Sequence, residues 1–583
     1  MSLPIRPARL IGPLVTLLLL AGAFLYVRAG RSTVAPTGTG PVRGGQLVSS
    51  IRAEPRTFNR AVSQDQITDL LNTLTQGRLV RVNRASFELE PWLAERWESS
   101  PNGRQHTLHL RKGVTWSDGS PFTSADVLFS LRVAANPKFV LASSLTVGGE
   151  PMRGAAPDAE TVVVTFAAPS GIGIRLLDQL PILPKHKLEA AFVAGTFESA
   201  WNTQVVPADV VGTGPFVLRE YRPGERVVLD RNPRYWRKDA AGQPLPYLDR
   251  LVLDIVPDQN AELLRLQSGA VDLTQDALRP EDFVTVRRSE DQGALTRFEL
   301  GVATDADAFW FCLKPEAKKQ DRRFAFVRLP AFRQALSHAV DREAFAQNVF
   351  LGEAVPVWGP ITPGNRQWFT PNLPRYPPDA RRALELLKEL GLEDRDGNGV
   401  VEAADGTEAR FTVLVQRGIA ASERGAAFLR EAAATIGVAL DIVPLESGVV
   451  IQRMLACDYD AVYMRVLTTS LDPAGNLDMW LSSGSAHFWN LSQRTPATEW
   501  EQRIDTLMLE QAATLDQARR RDLFNDVQRI LAENLPVLYF AAPRMYAAHT
   551  PRVRGVVPSV LRPPILWNAD SLSVAGGAGA AKP

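Results

Sequence analysis

The sequence predicts an α/β protein of several packed layers, and three observations support this. Segments with strand periodicity and segments with helix periodicity interleave from about Gly45 to Leu566, with no repeat period running through them. The chain has 583 residues, enough for roughly three to five domain-sized units at about 150 residues each. Hydrophobic residues make up 45% and charged residues 22%, the range of an ordinary globular body and outside that of a disordered or fibrous one.

Taken from the N-terminus, the first element is a membrane signature. Arg6 and Arg9 precede an apolar run from Leu10 to Val27, which at about 1.5 Å per residue approaches the thickness of a hydrocarbon core. Residues 1–28 therefore read as a signal peptide or an N-terminal membrane anchor. Ala21 and Ala23 offer a small-x-small cleavage pattern, yet Phe24 to Val27 continue the apolar run beyond it, so the reading leans towards an uncleaved anchor. No cysteine follows the run, which excludes acylation at a mature N-terminal cysteine. Positive charge before the run keeps that end in the cytoplasm and places everything after Arg28 outside. Residues 29–43 form a linker, and Thr33 to Arg43, rich in Pro, Gly and Thr, is its flexible part.

In His106 to Arg111, Leu108 and Leu110 alternate with Thr107, His109 and Arg111, the period of a half-buried strand. Further strands are expected at 161–166, 226–230, 251–256, 411–416 and 439–445. Thr123, three residues before Asp126, makes a capping-box start for a helix through Val127, Leu128 and Leu131. Ala383, Leu386, Leu387 and Leu390 fall at i, i+3, i+4 and i+7, with Gly391 where a left-handed cap residue sits. Leu523, Val527, Ile530 and Leu531 repeat the stripe before Leu535-Pro536 ends the helix. The tail 571–583, ending in a Gly- and Ala-rich run, has too little apolar surface to order itself.

Sixty-five basic against 64 acidic side chains leave a net charge of +1 without a long single-sign run, so a nucleic-acid partner is excluded for want of a basic stripe. Cys312 and Cys457 have neither metal-site spacing nor scaffold density; they read equally as a pair or as two buried thiols. No His-Glu-x-x-His, Gly-x-Ser-x-Gly or Walker-type loop is present, the six histidines are scattered, and no cofactor is expected. Gly212-Thr213-Gly214 lacks the following helix that phosphate binding needs.

The stretch from Leu89 to Leu131 reads LEPWLAERWESSPNGRQHTLHLRKGVTWSDGSPFTSADVLFSL. With Leu183-Pro184-Lys185-His186, Gly212-Thr213-Gly214-Pro215-Phe216, Asn232-Pro233-Arg234-Tyr235-Trp236 and the segment Phe332 to Arg342, it resembles the oligopeptide, dipeptide and nickel family of solute-binding proteins of ABC transporters, family 5. Gly44-Gly45-Gln46-Leu47, Leu245 to Asp249, Leu266 to Asp272, Asp458-Tyr459-Asp460-Ala461 and Leu535 to Phe540 extend the likeness in order, covering nearly all of the chain outside its ends.

The resemblance implies a two-lobed periplasmic-binding-protein type II fold with an extra subdomain on the first lobe. Lobe I would comprise residues 44–77, 184–304 and 536–570, with the subdomain at 78–183; lobe II would be 305–535. It implies a non-catalytic, monomeric receptor, periplasmic or at the cell surface, that closes on a peptide or other small-molecule solute and delivers it to ABC permease transmembrane subunits. The alternative is a membrane-anchored sensory or scaffold protein that retains the binding fold.

Candidate ligand contacts are Thr57, Phe58 and Asn59 on a first-lobe loop, and Trp116 as an apolar wall, each weighed against simple packing. On the second lobe they are Thr469, Asp472, Trp489 and Asn490, Trp489 first because an aromatic face buries much area at little entropy cost. Relatives that hold a peptide's amino group usually carry an aspartate four residues before the proline that Pro473 resembles. Here Thr469 stands there, and a neutral hydroxyl cannot pair a buried ammonium, so a sugar, a blocked peptide or another solute stays open. Finally, Asp394, Asp396, Asn398 and Gly399, followed by Glu402 and Asp405, have the ligand spacing of a calcium loop, though similar turns in relatives need no metal.

Overall fold

The computed structural model describes residues 41–466 and 470–575. The N-terminal apolar run, most of the linker, Thr469 and the last eight residues of the tail lie outside them. Two large sheets organise the chain from Arg43 onward. The first has eight strands, in the order Phe216–Arg222, Arg226–Arg231, Arg250–Ile255, Gln46–Ile51, Leu273–Thr274, Ala541–His549 and Thr296–Val302, with Ala354–Pro356 paired to Ala541–His549. Gln46–Ile51 runs parallel to both neighbours. It buries Leu47, Ser49, Ser50 and Ile51, the signature of a strand covered on both faces.

The second sheet has five strands, ordered Ala439–Leu445, Arg410–Gln416, Ala461–Val466, Ala306–Phe311 and Val537–Tyr539. All six residues of its strand Ala306–Phe311 are buried, and their side chains alternate between two cores. Phe309 and Phe311 pack with helices Pro330–Ala339, Ala380–Glu389 and Ala420–Ala434. Ala308, Trp310 and Cys312 pack on the opposite face with Glu499–Ala513 and Gln517–Asn534. The period of two along a strand thus makes one segment the floor of both helical layers.

A four-stranded antiparallel sheet, Ala94–Ser99, Gln105–Leu110, Thr161–Thr165 and Arg153–Asp158, carries helix Ser124–Ala134. Its Leu108, Val127 and Val162 belong to the same continuous core as Leu47, Phe216 and Leu251 of the large sheet. The subdomain is welded to the first lobe by that shared core.

Local signals act as their chemistry requires. Thr123 and Asp126 form a capping box at the start of Ser124–Ala134. Gly391 follows helix Ala380–Glu389 and its cap Leu390 at φ +76°, a backbone that a side chain would strain. Leu535, left-handed at φ 45°, ends Gln517–Asn534.

Two boundaries differ from the sequence expectation. Val537–Tyr539 is still paired to Ala308–Trp310 in the second sheet, so the chain returns to the first sheet after Tyr539 and not after Leu535. Residues 571–575, expected to belong to a disordered tail, are ordered: Ser573–Val574 pairs with Val553–Arg554, and Leu572 and Val574 are fully buried. Cys312 and Cys457 are joined in a disulfide, with their Cα atoms 5.9 Å apart. Among the described residues no helix is long and apolar enough to cross a membrane.

Candidate interlobe binding site

Two adjacent backbone segments connect the sheets. One runs from Thr296–Val302 of the first sheet to Ala306–Phe311 of the second, and the other from Val537–Tyr539 of the second to Ala541–His549 of the first. They are laced together by Phe540 N donating to Asp307 O at 3.0 Å and Ala303 N to Pro543 O at 2.8 Å. Buried Asp307 accepts from Tyr463 Oη at 2.8 Å and Arg465 Nε at 3.1 Å. Burial works against the Arg465 cation, but the Asp307 carboxylate outweighs it and holds the guanidinium above its ordinary value. Arg342 is fully buried and donates to Tyr539 O at 2.8 Å and Val357 O at 3.2 Å, which fixes the residue just before the return crossing. Burial pushes its guanidinium down to about 9, still charged at neutral pH.

Strand direction decides which loops face the groove beside this hinge. Ala461–Val466 is antiparallel to Ala306–Phe311, with Val466 opposite Ala306, so its carboxyl end lies at the crossing. Arg410–Gln416 and Ala439–Leu445 are parallel to it and end on the same side. In the first sheet Leu273–Thr274 runs antiparallel to Ala541–His549, which enters from the hinge, and Gln46–Ile51 is parallel to Leu273–Thr274. The carboxyl ends of Gln46–Ile51 and Ala461–Val466 therefore both lie towards the crossings, one in each sheet, and carboxyl ends are where α/β sheets bind ligands.

Away from the hinge the lobes touch, and the arrangement is closed. Gly171, in the subdomain loop 170–173, donates from its N to Ala512 O at 2.7 Å and accepts at its carbonyl from Arg520 Nη1 at 2.9 Å. A Cβ on Gly171 would run into the Thr514 carbonyl oxygen and the Arg520 guanidinium. A second contact joins the turn 83–88 to the other lobe: Arg366 Nη2 donates to Ala85 O at 3.2 Å and Gln367 Nε2 to Phe87 O at 3.4 Å. A third is the ion pair of Glu281 with Arg424 at 2.9 Å.

The sequence candidates divide sharply. Asp472 is at the lobe boundary, ion-paired to Arg520 and capping the short helix Pro473–Asn476 through Ala474 N. Thr57, Phe58 and Asn59 lie in the loop after Gln46–Ile51, but their side chains turn into the first-lobe core. Thr57 Oγ1 donates to Trp201 O at 3.0 Å, Asn59 Oδ1 accepts from Ala61 N, and Phe58 sits edge-on to Tyr221. Trp116 has no exposed surface and donates to Asp126, so it packs under the subdomain and forms no cleft wall. Burial outweighs the hydrogen bonds to Asp126 and raises that carboxyl. Trp489 is likewise interior, 2% exposed, with Nε1 donating to Glu501 and its ring 3.9 Å from that of His487. Asn490 is buried beside it and accepts at its carbonyl from Gln493.

In the acidic loop, Asp405 stands apart: it pairs with Arg322 at 3.2 Å, while Asp394, Asp396 and Glu402 converge. Asn398 Oδ1 accepts from Val400 N and its amide braces Asp396 and Glu408.

The residues that sequence reasoning missed are Gly171 and Arg520. Arg520 stands between Arg519 and Arg521, a run that reads as a solvated helix face, and only its burial distinguishes it.

Two sheet-based lobes, joined by paired crossings and touching again away from them, define the class of two-lobed binding proteins, which hold ligands at the domain interface. The profile of bacterial extracellular solute-binding proteins, family 5 (middle), matches residues 88–488. A probable ABC transporter-binding protein of Deinococcus radiodurans is 26% identical over 550 residues, 88% of this chain and 90% of its own length. Among solved structures, the oligopeptide-binding protein AppA of Bacillus subtilis in complex with a nonapeptide superposes with a TM-score of 0.70 at 23% identity, covering 92% of this chain and 100% of that one. The periplasmic binding protein MelB of Agrobacterium fabrum in complex with stachyose gives 0.71 at 22% identity, covering 93% of this chain and 86% of that one. The chain belongs to family 5 of the bacterial extracellular solute-binding proteins.

Proposed function

We propose that this protein is the non-catalytic, monomeric receptor of an ABC importer, held at the outer face of the membrane by its N-terminal segment, and that it hands its solute to permease transmembrane subunits. The observation that carries this reading is the pair of crossings between the two sheets, with the carboxyl ends of Gln46–Ile51 and Ala461–Val466 directed towards them: a solute seated between the lobes there touches both and favours the closed form. Closure requires such a difference, since a ligand with equal affinity for both states shifts nothing. The open depression of about 600 Å³ lined by Lys318, Asp321, Arg323, Arg410 and Asp460 lies on one lobe only and has no such leverage.

The neutral Thr469, four residues before Pro473 in the sequence, supports a solute without a buried ammonium: a sugar, a blocked peptide or another hydrogen-bonding molecule. Peptide-bound AppA and stachyose-bound MelB match the fold almost equally, so the fold leaves both chemistries open. The test is thermal melting of the purified chain against a panel of free peptides, blocked peptides and oligosaccharides, with mass spectrometry of whatever co-purifies. A rise in melting temperature with one class and no turnover is expected. An unmoved melting point across the panel, or chemical conversion of a solute, would overturn the reading.

A further inference from the structure

The second lobe carries an acidic loop that the groove does not use. Between helix Ala380–Glu389 and strand Arg410–Gln416, one oxygen from each of Asp394, Asp396 and Glu402 lies within 4.8 Å of the others. Two of the three residues are exposed, but Glu402 is only 7% exposed. Its Oε1 accepts from Arg395 N at 2.8 Å, while its Oε2 is buried without any hydrogen-bond partner. An ionised oxygen taken from water and left without a donor is among the costlier groups a protein can bury. The neighbouring cation does not relieve it, because the Arg395 guanidinium is directed at the carbonyls of Glu402 and Gly391.

We propose that this loop is a divalent-cation site, and that the cation is calcium. The donor set is carboxylate oxygen alone, which suits a hard ion; thiolate or imidazole donors would be needed to favour a softer one. The spacing 394, 396, 398 and 402, with glycine at 399, reproduces positions one, three, five, nine and six of a twelve-residue calcium loop. The backbone is already wound around the first carboxylate, with Gly397 N and Gly399 N donating to the two oxygens of Asp394 at 2.8 and 3.0 Å. The departure from the usual loop lies at its last position. Asp405 turns out to Arg322, and the buried Glu402 supplies the inner carboxylate in its place. Two exposed aspartates leave room for water to complete the coordination.

The loop precedes the amino end of Arg410–Gln416, the end opposite the groove. The ion therefore acts on the second lobe and not on the solute. Its affinity belongs in the range of extracellular calcium modules, about 10⁻⁴–10⁻³ M.

The test uses the full chain stripped with EDTA, titrated separately with calcium chloride and magnesium chloride by calorimetry and followed by thermal melting. One calcium per chain and a rise in melting temperature are expected. Glu402→Gln should weaken calcium at least tenfold. Asp396→Asn, on the exposed side and without effect on the core, should do the same if Glu402→Gln fails to fold. Asp405→Asn should leave calcium affinity within twofold. Absence of heat and of any melting shift up to 10 mM calcium would overturn the assignment, as would calcium affinity unchanged in Asp396→Asn, or tighter binding of magnesium than of calcium.

Discussion

Arg520 and Asp472 form a two-point ion pair, Nη2 to Oδ1 at 2.5 Å and Nη1 to Oδ2 at 2.9 Å, and the same Nη1 reaches across the lobe boundary to the carbonyl of Gly171. The pair is internal to the second lobe, so parting the lobes leaves it intact and, of the bonds that Arg520 makes, breaks the one to Gly171. Arg520 is 1% exposed in this closed arrangement, and Asp472 on the same lobe balances its charge. The carboxylate fixes the direction of the guanidinium, which presents a positioned donor to the incoming loop.

That geometry makes Gly171 the most sensitive point of closure. A methyl group there meets Thr514 O and Arg520, so Gly171→Ala should prop the rim open without disturbing either core. Solute affinity should fall at least tenfold, about 1.4 kcal/mol, with melting of the unliganded protein little changed. Small-angle scattering should show a more open liganded form. Unaltered affinity would show that the rim contact plays no part in closing.

Trp489 gives the opposite expectation from the one its sequence setting suggests. The indole is interior, bonded to Glu501 and packed with His487, so Trp489→Ala removes core volume and one of the hydrogen bonds to a buried carboxylate. A stability loss of about 3–5 kcal/mol is expected in denaturant melts, with solute affinity of the remaining folded protein within twofold. A selective loss of affinity at full stability would return Trp489 to the groove.

How much was legible follows from what each signal depends on. The capping box at Thr123, the helix stop at Gly391 and the alternation around Leu108 are local, set by a few adjacent residues, and the structure bears them out. The aromatic candidates failed for a different reason. Trp116 and Trp489 are large apolar faces, and whether such a face lines a groove or a core depends on what folds over it from distant sequence. Asp126, which bonds Trp116, is close in the chain, but the Leu183 to His186 segment that covers them is not. Arg520 is the converse case: its ion-pair partner and the carbonyl it reaches on the other lobe are 48 and 349 residues away, and nothing nearby in the sequence announces them.

Acid should loosen the second lobe through Glu501. Burial pushes this carboxyl up, but hydrogen bonds from His487, Gln493 and Thr498 outweigh it and hold the group below its ordinary value of 4.5. Arg333 also lies within electrostatic reach. A carboxylate whose folded value is depressed contributes stability above its unfolded value, and that contribution is lost as pH falls through the folded one. The urea midpoint should thus be flat from neutrality down to about pH 5 as far as this group is concerned, and fall below about pH 4.5. Glu501→Gln should start lower and show a shallower acid limb. Parallel limbs in the two proteins would remove Glu501 as the cause.

The disulfide makes a second, independent claim on the same lobe. Cys312 follows strand Ala306–Phe311, and Cys457 follows helix Ser447–Ala456 with a left-handed φ of 53°. The bond therefore ties a buried sheet strand to an outer helix across 145 residues of sequence. Closing so long a loop restricts the unfolded chain more than the folded one, so reduction should cost about 2–4 kcal/mol. The melting transition of the second lobe should drop in dithiothreitol, and Cys312→Ser with Cys457→Ser should reproduce that drop and abolish its dependence on reductant. Both cysteines sit in the core that also holds Trp310, Trp480 and Trp489, so tryptophan fluorescence of that lobe should report the transition. A melting point insensitive to reductant, with two titratable thiols in the native protein, would show that the bond does not form.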